Sequence, residues 1–337
     1  MDRLGQPPPR RVAVLRALQL GDLLCAVPAL RALRGSLPEA EIVLIGLPWA
    51  RSFVERFDRY LDRLLELPGY PGLPERPPRI AEIPGFLATA QGEEFDLAVQ
   101  MHGSGGITNP LTVLLGARVN AGFFVPGDYC PDPARFLAYP EHAHEVRRHL
   151  RLLEFLGVPL RGEGLEFPLH DEDLAALRVV DAARGLRPGE YACIHPGARA
   201  PGRRWPPERF AAVADALAAR GLVVVLTGSA EEAALTRAVA DAMDARPVDL
   251  AGRTSLGALA ALLTGARLLV CNDTGVSHVA AALRVPSVVI FTGSDPNRWA
   301  PLDRDLHRVI APPAGGRSPD EASRVPSPGS PSGVAGP

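Results

Sequence analysis

A chain of 337 residues that is 47% hydrophobic and carries a formal net charge of -2 is long enough for two domains, each with its own core. The balance of 36 basic against 38 acidic residues excludes a nucleic-acid binder, whose phosphate contacts demand a basic excess. No lysine occurs and every basic residue is arginine, so a phosphate contact that lysine would make falls to Arg, His or backbone amides.

From the N-terminus, Met1–Arg10 is polar and Pro-rich, lacks the apolar core of a signal peptide and is expected to be disordered. Val12–Ala17 is an apolar run of buried-strand length, Gly21-Asp22 marks a turn, and Cys25–Arg34 reads as a helix with Pro28 in its first turn. Ile42–Gly46 reads as a strand, Ala50–Leu65 as helical and Tyr70–Pro78 as a loop. Phe95–Met101 is a further strand, running into the loop His102–Gly106. Leu111–Leu115 is expected to be helical and Val119–Phe123 a strand. Glu141–Leu156 has helical spacing, with Val146, Leu150, Leu153 and Leu156 near one face. Its His142, His144 and His149 among arginines read as a solvated interdomain segment rather than a metal site. A helix and a polar loop fill Glu166–Pro188.

The alternation then restarts. Strands are expected at Tyr191–Ile194, Leu222–Thr227, Leu268–Cys271 and, last, Ser287–Phe291. Helices are expected at Pro207–Arg220, Glu231–Met243, Leu256–Leu263 and Val276–Leu283. Strands alternating with helices specify parallel α/β units, here in two domains, 11–165 and 166–311. The tail 312–337, rich in Pro, Gly and Ser, is expected to be disordered. Cys25, Cys130, Cys193 and Cys271 form no Cys-x-x-Cys pair, which points to a reducing compartment and no structural zinc. Apolar runs such as His278–Phe291 are broken by Arg284 and Pro286, so no bilayer span is expected. The expectation is a cytoplasmic protein able to touch a membrane surface.

In parallel α/β sheets ligands sit beyond the carboxyl ends of the strands, and four segments there carry polar chemistry. Asp22 stands between the first strand and helix, where it can cap the helix or act as a general base facing a cleft. His195–Pro207 holds Arg199, Arg203, Arg204 and Trp205 between Pro196-Gly197 and Pro206-Pro207, which restrain guanidinium groups suited to phosphate. Gly228 and Ser229 form a strand-to-helix turn. Glu231 and Glu232 follow in the first helical turn, favourable to the helix dipole or available to a ribose. Cys271-Asn272-Asp273-Thr274-Gly275-Val276-Ser277-His278 ends a strand and starts a helix. Its exposed amides suit a diphosphate, Gly275 allows close approach, and His278 can turn to the same anion.

These residues together resemble the bacterial ADP-heptose heptosyltransferases, glycosyltransferase family nine. The likeness runs through Arg16–Asp22, Pro28-Ala29-Leu30, Phe95–Val99, His195-Pro196-Gly197, Arg203–Pro206, Gly228-Ser229, Asp273–His278 and Pro286. It covers roughly residues 11 to 310 in order. The resemblance implies the GT-B fold, two Rossmann-like parallel-sheet domains facing across a cleft, with the acceptor on the first domain and the donor on the second. It implies Asp22 as general base and Arg203, where relatives often have lysine, on the donor diphosphate. Asp273, Thr274 and Gly275 would be the phosphate-binding turn with His278 beside it, and one of Glu231 and Glu232 would lie near the ribose. Two departures are Arg203 itself and the Pro/Gly/Ser-rich tail.

The expected reaction is a direct inverting transfer without metal or cofactor, the donor a nucleotide sugar, ADP-linked by family default. The acceptor would be a glycan or glycolipid, the default being a lipopolysaccharide core reached at the inner membrane. Arg203 and the Thr274-Gly275 amides would stabilise the departing diphosphate, helped by Arg204 and His278. The alternatives are a nucleotide-sugar epimerase of the same architecture and a binder of nucleotide sugars without turnover. A dehydrogenase is disfavoured because the first turn lacks Gly-x-Gly-x-x-Gly. An esterase is disfavoured for want of a Gly-x-Ser-x-Gly elbow.

Overall fold

The computed structural model describes residues 3–312; the expected tail from 313 onward lies outside the described residues. Among them the chain forms two six-stranded sheets, each parallel throughout. The first takes the order β3-β2-β1-β4-β5-β6. Its strands are β1 (Arg11–Leu15), β2 (Glu41–Gly46), β3 (Arg63–Glu66), β4 (Leu97–Gln100), β5 (Val119–Phe124) and β6 (Phe136–Ala138). The second repeats that winding as β9-β8-β7-β10-β11-β12. It is built from β7 (Tyr191–His195), β8 (Val223–Leu226), β9 (Val248–Asp249), β10 (Leu268–Asn272), β11 (Ser287–Ile290) and β12 (His307–Ile310).

Helices α1 (Leu20–Ser36), α2 (Arg51–Arg56), α3 (Ile83–Gly92), α4 (Thr108–Leu114) and α5 (Glu145–Phe155) surround the first sheet. The second is accompanied by α6 (Asp171–Arg178), α7 (Pro207–Ala218), α8 (Ala233–Asp241), α9 (Leu256–Gly265), α10 (Gly275–Ala282) and the short α11 (Pro296–Trp299). Residues 156–170, without helix or strand, carry the chain from one sheet to the other.

Helices cover both faces of each sheet, so the central strands are continuous apolar runs rather than alternating ones. Alternate residues still go to different cores. Val12, Val14, Ile42 and Leu44 pack toward α1, while Ala13, Leu15, Val43 and Ile45 meet Phe86 and Ala90 of α3 and Leu111 next to them. In the second sheet Ile194, Leu226 and Val270 pack on Phe210 and Ala214 of α7. Cys193, Cys271 and Val289, on the opposite face, join the same apolar cluster as Val12 and Leu23. That shared cluster, with α1 and α5 on one side and α9 and α10 on the other, fixes the two sheets as one body.

The expected alternation is present, and the differences have physical causes. Residues 3–10 are not disordered. Leu4 is buried in the core, Arg3 donates to the Phe155 carbonyl at 2.7 Å, and Arg135 donates to the Arg3 carbonyl at 2.9 Å. The stretch Ala50–Leu65 is helical only to Arg56. Phe57 and Tyr60 turn into the core, and the chain resumes as edge strand β3, paired to β2. Ser287–Phe291 is not the last strand, since β12 adds beyond it. Glu141–Leu156 is solvated on one side only: His142, Arg147 and Arg151 are exposed, but Glu145, Arg148 and His149 are buried between the domains.

Candidate active site

Each sheet reverses its winding between its first and fourth strands, the position where open α/β sheets bind ligands. Here the carboxyl end of β1 faces those of β7, β8 and β10 across a cleft of about 1110 Å³. All of the sequence-predicted residues line it: Asp22, Arg203, Arg204, Gly228, Ser229, Glu231, Glu232, Asp273, Thr274, Gly275 and His278.

On the N-terminal wall, α1 starts at Leu20, five residues before the expected Cys25, so Asp22 lies inside the first turn rather than ahead of it. Its Oδ2 accepts from the Gln19 amide at 3.3 Å, so this carboxylate caps the helix and faces the cleft at once. Behind it Arg16, 1% exposed, donates from Nε and Nη2 to the Asp22 carbonyl at 2.9 and 2.7 Å. Two N–H groups on one carbonyl hold the turn in place. A second carboxylate, Glu75, reaches the cleft from the 67–79 loop, with His102 Nε2 at 3.4 Å from its Oε1. The Ala17 amide donates to His102 Nδ1 at 3.2 Å, which leaves Nε2 as the protonated nitrogen. Burial pushes the Glu75 carboxyl up, but hydrogen bonding and charge from His102 outweigh it and the net shift is downward.

On the C-terminal wall, Thr274 is the extended residue before α10. The amides of Gly275 and Val276 donate to no acceptor among the described residues. They form the positive end of the helix and border the cleft. The Asp273 carboxylate is occupied: Ser294 Oγ donates to Oδ2 at 2.5 Å and Arg203 Nη1 lies 3.8 Å from the same oxygen. Asp273 therefore shapes the turn and holds Arg203 beside it. Gly275 lines the cleft, where the approach of a ligand is expected, and it also lets the two domains come close. A Cβ there would lie 3.3 Å from the Leu20 side chain, and one on Gly21 would lie 2.8 Å from His278 Cδ2. The N-termini of α1 and α10 thus meet glycine to glycine across the domains.

His278 borders the cleft, with Nδ1 3.7 Å from Cys25 Sγ and its ring edge-on to Trp299 at 6.4 Å. Burial lowers its pKa against the opposing pull of Asp273, Asp22 and Glu145. At neutral pH it is a neutral imidazole, a donor or acceptor rather than a cation.

The 196–206 loop is held at several points. Buried Asn272, at the end of β10, accepts from the Trp205 amide at 3.0 Å and donates to the Pro196 carbonyl at 2.7 Å. Thr292 donates to the Gly202 carbonyl at 3.0 Å, and Arg204 Nε to the Ala198 carbonyl at 2.8 Å. Arg203 keeps its guanidinium at the cleft, 41% exposed. Trp205 turns away to stack edge-on against Phe210.

Glu232 is committed to structure. Its Oε2 accepts from the Ser229 amide at 2.9 Å and lies 3.9 Å from His195 Nε2, and a Cβ on Gly197 would collide with the carboxylate. The Ser229 amide is thereby spent, and Gly228 is confined by Glu232 and Thr236. Glu231 is exposed at the same rim.

Sequence reasoning missed several members of this site. Trp299, Glu75 and the Thr254–Leu256 turn line the cleft, and Arg16 and Asn272 brace it. Arg16 and Asn272 lie within segments already singled out, Arg16–Asp22 and Cys271–His278, but with no bracing role expected of them. Glu75 lies in a Pro-rich loop and Trp299 ends the single-turn α11 between prolines, with no periodicity to mark either.

The family model for glycosyltransferase family 9 (heptosyltransferase) matches residues 91–320. The chain belongs to that family. Lipopolysaccharide heptosyltransferase 3 of Escherichia coli K12 is 31% identical over 166 residues. That match covers 48% of this chain and 48% of the relative, so the likeness spans about half the curated protein. Among solved structures, the glycosyl transferase family 9 protein of Veillonella parvula superposes with a TM-score of 0.77 at 24% identity, covering 90% of this chain and 87% of that one. E. coli ADP-heptose LPS heptosyltransferase II gives 0.72 at 23%, covering 89% and 90%. The two facing parallel sheets are the GT-B fold of this family.

Among the described residues no helix is long and apolar enough to cross a membrane. No group of three or more His, Cys, Asp or Glu among them is placed to hold a metal ion. His144, from the histidine-rich segment, instead caps α5 and bonds the Ala300 carbonyl at 2.8 Å.

Proposed function

We propose that the chain transfers a glycosyl group from a nucleoside-diphosphate sugar to a hydroxyl of a saccharide acceptor, inverting the anomeric carbon. The observation that carries this reading is the opposition of charge across one cleft. The Asp22 carboxylate is fixed on the N-terminal wall, and unpartnered α10 amides stand beside Arg203 on the other.

In this reaction Asp22 takes the proton of the acceptor hydroxyl. The oxygen bonds to the anomeric carbon, and the bond from that carbon to the diphosphate breaks with its electron pair left on phosphate. Arg203 and the Gly275 and Val276 amides meet the departing charge. A preorganised donor of this type is worth about 3–4 kcal/mol. Family membership supports an ADP-linked heptose as donor and a lipopolysaccharide-core saccharide as acceptor, met at the cytoplasmic face of a membrane. The nucleoside would lie along Thr254–Leu256 and Leu259. Glu231 is the better ribose partner, because Glu232 is already engaged. No step of this scheme is routed through a metal or cofactor.

Calorimetric titration of the chain with ADP, UDP, GDP and NAD tests the reading. ADP is expected to bind at least about tenfold more tightly than the others, a gap of about 1.4 kcal/mol. Equal affinities, or NAD binding best, would overturn it.

A further inference from the structure

Behind the N-terminal wall a buried charge cluster joins the two domains. Glu145, the first residue of α5, is 3% exposed. Its Oε1 accepts from Arg16 Nη2 at 3.2 Å and lies 3.2 Å from His149 Nε2. Its Oε2 accepts from Arg148 and, across the domain boundary, from Arg298 Nε at 3.0 Å. Arg16 is the residue that grips the Asp22 carbonyl, so Glu145 joins that grip to α11 of the other domain.

The far end of the connection is in the donor half of the cleft. Arg298 lies over the ring of Trp299, 4.7 Å from its centroid, and Trp299 lines the cleft. The segment leading into α11 carries Ser294, bonded to Asp273, and Thr292, bonded to Gly202 in the Arg203 loop. Just after α11, the Ala300 carbonyl is held by His144, the residue before Glu145. Residues 292–300 therefore touch the phosphate turn, the arginine loop and the cleft wall, and grip the start of α5 at two points.

An interdomain charge this well buried is costly unless it stays partnered, because an uncompensated carboxylate would remain in the core. Such an element has one favoured arrangement rather than a continuum of them. From this we infer that Arg298 is a positioning residue. Through Glu145 and Arg16 it ties the placement of Asp22 to the state of the donor half of the cleft, so that nucleotide binding in one domain is felt at the proton acceptor in the other. The inference rests on the transferase reading given above. It adds to it a coupling route that neither Arg298 nor Glu145 would reveal by touching substrate.

The test uses the full chain as wild type, Arg298→Gln and Arg298→Lys. Gln keeps much of the stem over Trp299 but not the charge. Glu145 retains Arg16, Arg148 and His149, so folding is expected to survive. Three readouts are taken: ADP affinity by calorimetry, amide hydrogen exchange of α5 with and without ADP, and steady-state transfer from ADP-heptose. Helix α5 does not line the cleft, so protection there on adding ADP arrives through its neighbours, either 292–300 or α1, and the Arg298 variants separate the two routes. ADP is expected to slow α5 exchange in the wild type and not in Arg298→Gln. The kcat of Arg298→Gln should fall about tenfold or more, with ADP affinity and donor KM within about threefold, and Arg298→Lys should recover most of the loss.

Retained α5 protection in Arg298→Gln, or kcat and ADP affinity falling together in both variants, would overturn the coupling. A wild-type chain that binds no ADP would overturn the transferase reading along with it. ADP binding by the wild type, with α5 exchange and kcat both independent of Arg298, would overturn only the coupling.

Discussion

The two domains wind their strands in the same order, yet the first strand-to-helix connection of each presents the opposite charge. Between β1 and α1 only residues 16–19 intervene. Arg16 turns inward to hold a carbonyl, and the short turn offers Asp22 to the cleft. Between β7 and α7 the chain takes residues 196–206. It places Arg203 at the cleft, and Asn272 pins both ends of the loop. The same topological position therefore presents a carboxylate on one wall and a guanidinium on the other. What differs is loop length and which side chain is buried as the brace. A buried arginine frees a carboxylate, and a buried asparagine frees arginines.

The sharpest way to break this comparison is at the carboxylate. Asp22→Asn keeps an oxygen for the Gln19 amide, so α1 retains its cap and the fold its stability. It should lower kcat by about 10²- to 10⁴-fold, the range of a general base, while ADP affinity stays unchanged in titration. A variant turning over at wild-type speed would remove Asp22 from the chemistry and leave the N-terminal wall as scaffold.

On the opposite wall the expected loss is smaller. Arg203 is partly exposed and its ion pair with Asp273 is long at 3.8 Å, so Arg203→Ala should leave thermal unfolding nearly unmoved. Steady-state kinetics should show kcat lower by about 100-fold, as for one donor to a developing oxyanion. Arg203→Lys should fall between, since it keeps the charge and loses the two-pronged geometry. If Ala equals wild type, the α10 amides alone meet the leaving group.

How far the sequence reveals this arrangement depends on where each residue sits. Central strands such as β1 and β10 are legible because burial on both faces makes them unbroken apolar runs. Edge strands are not: β3, Arg-Leu-Leu-Glu, is only partly buried and lacks β-branched residues, so it merges with the helical pattern before it. Helix α3, Ile-Pro-Gly-Phe, begins with residues that read as a loop. The cleft residues are legible because strand ends concentrate Asp, Arg and Gly in recognisable order.

The cluster around Glu145 is hidden for a different reason. Arg148 and His149 on an amphipathic helix look solvated, and nothing local announces that Arg298, about 150 positions on, will meet Glu145 beside them. The α1 start is missed because Gln19 and Asp22 form a cap that reads, in sequence, as a turn.

Each wall has a buried His beside a Glu: His149 with Glu145 on one side, His195 with Glu232 on the other. A pH series can weigh the first pair. Burial, the largest influence on His149, lowers its pKa from 6.5 to about 4, with the Arg16 and Arg148 charges acting the same way against Glu145. Between those two values the unfolded chain takes up a proton that the folded chain refuses. Stability from this residue is thus complete above pH 6.5 and lost as pH falls toward about 4, at about 1.4 kcal/mol per pH unit for one proton. His195 is lowered chiefly by burial and adds to the same slope. The carboxyl of Glu145 is held well below 4.5 although burial, the largest influence, raises it, because the His149 hydrogen bond and the Arg16 and Arg298 charges prevail. Its loss begins only below pH 4.5. His149→Gln, which still offers Glu145 an N–H, should flatten the fall in Tm between pH 6.5 and about 4 by one proton's share and leave the steeper fall below 4.5 intact. A variant profile superimposable on wild type across the upper window would mean that His149 takes no part in the titration of the cluster.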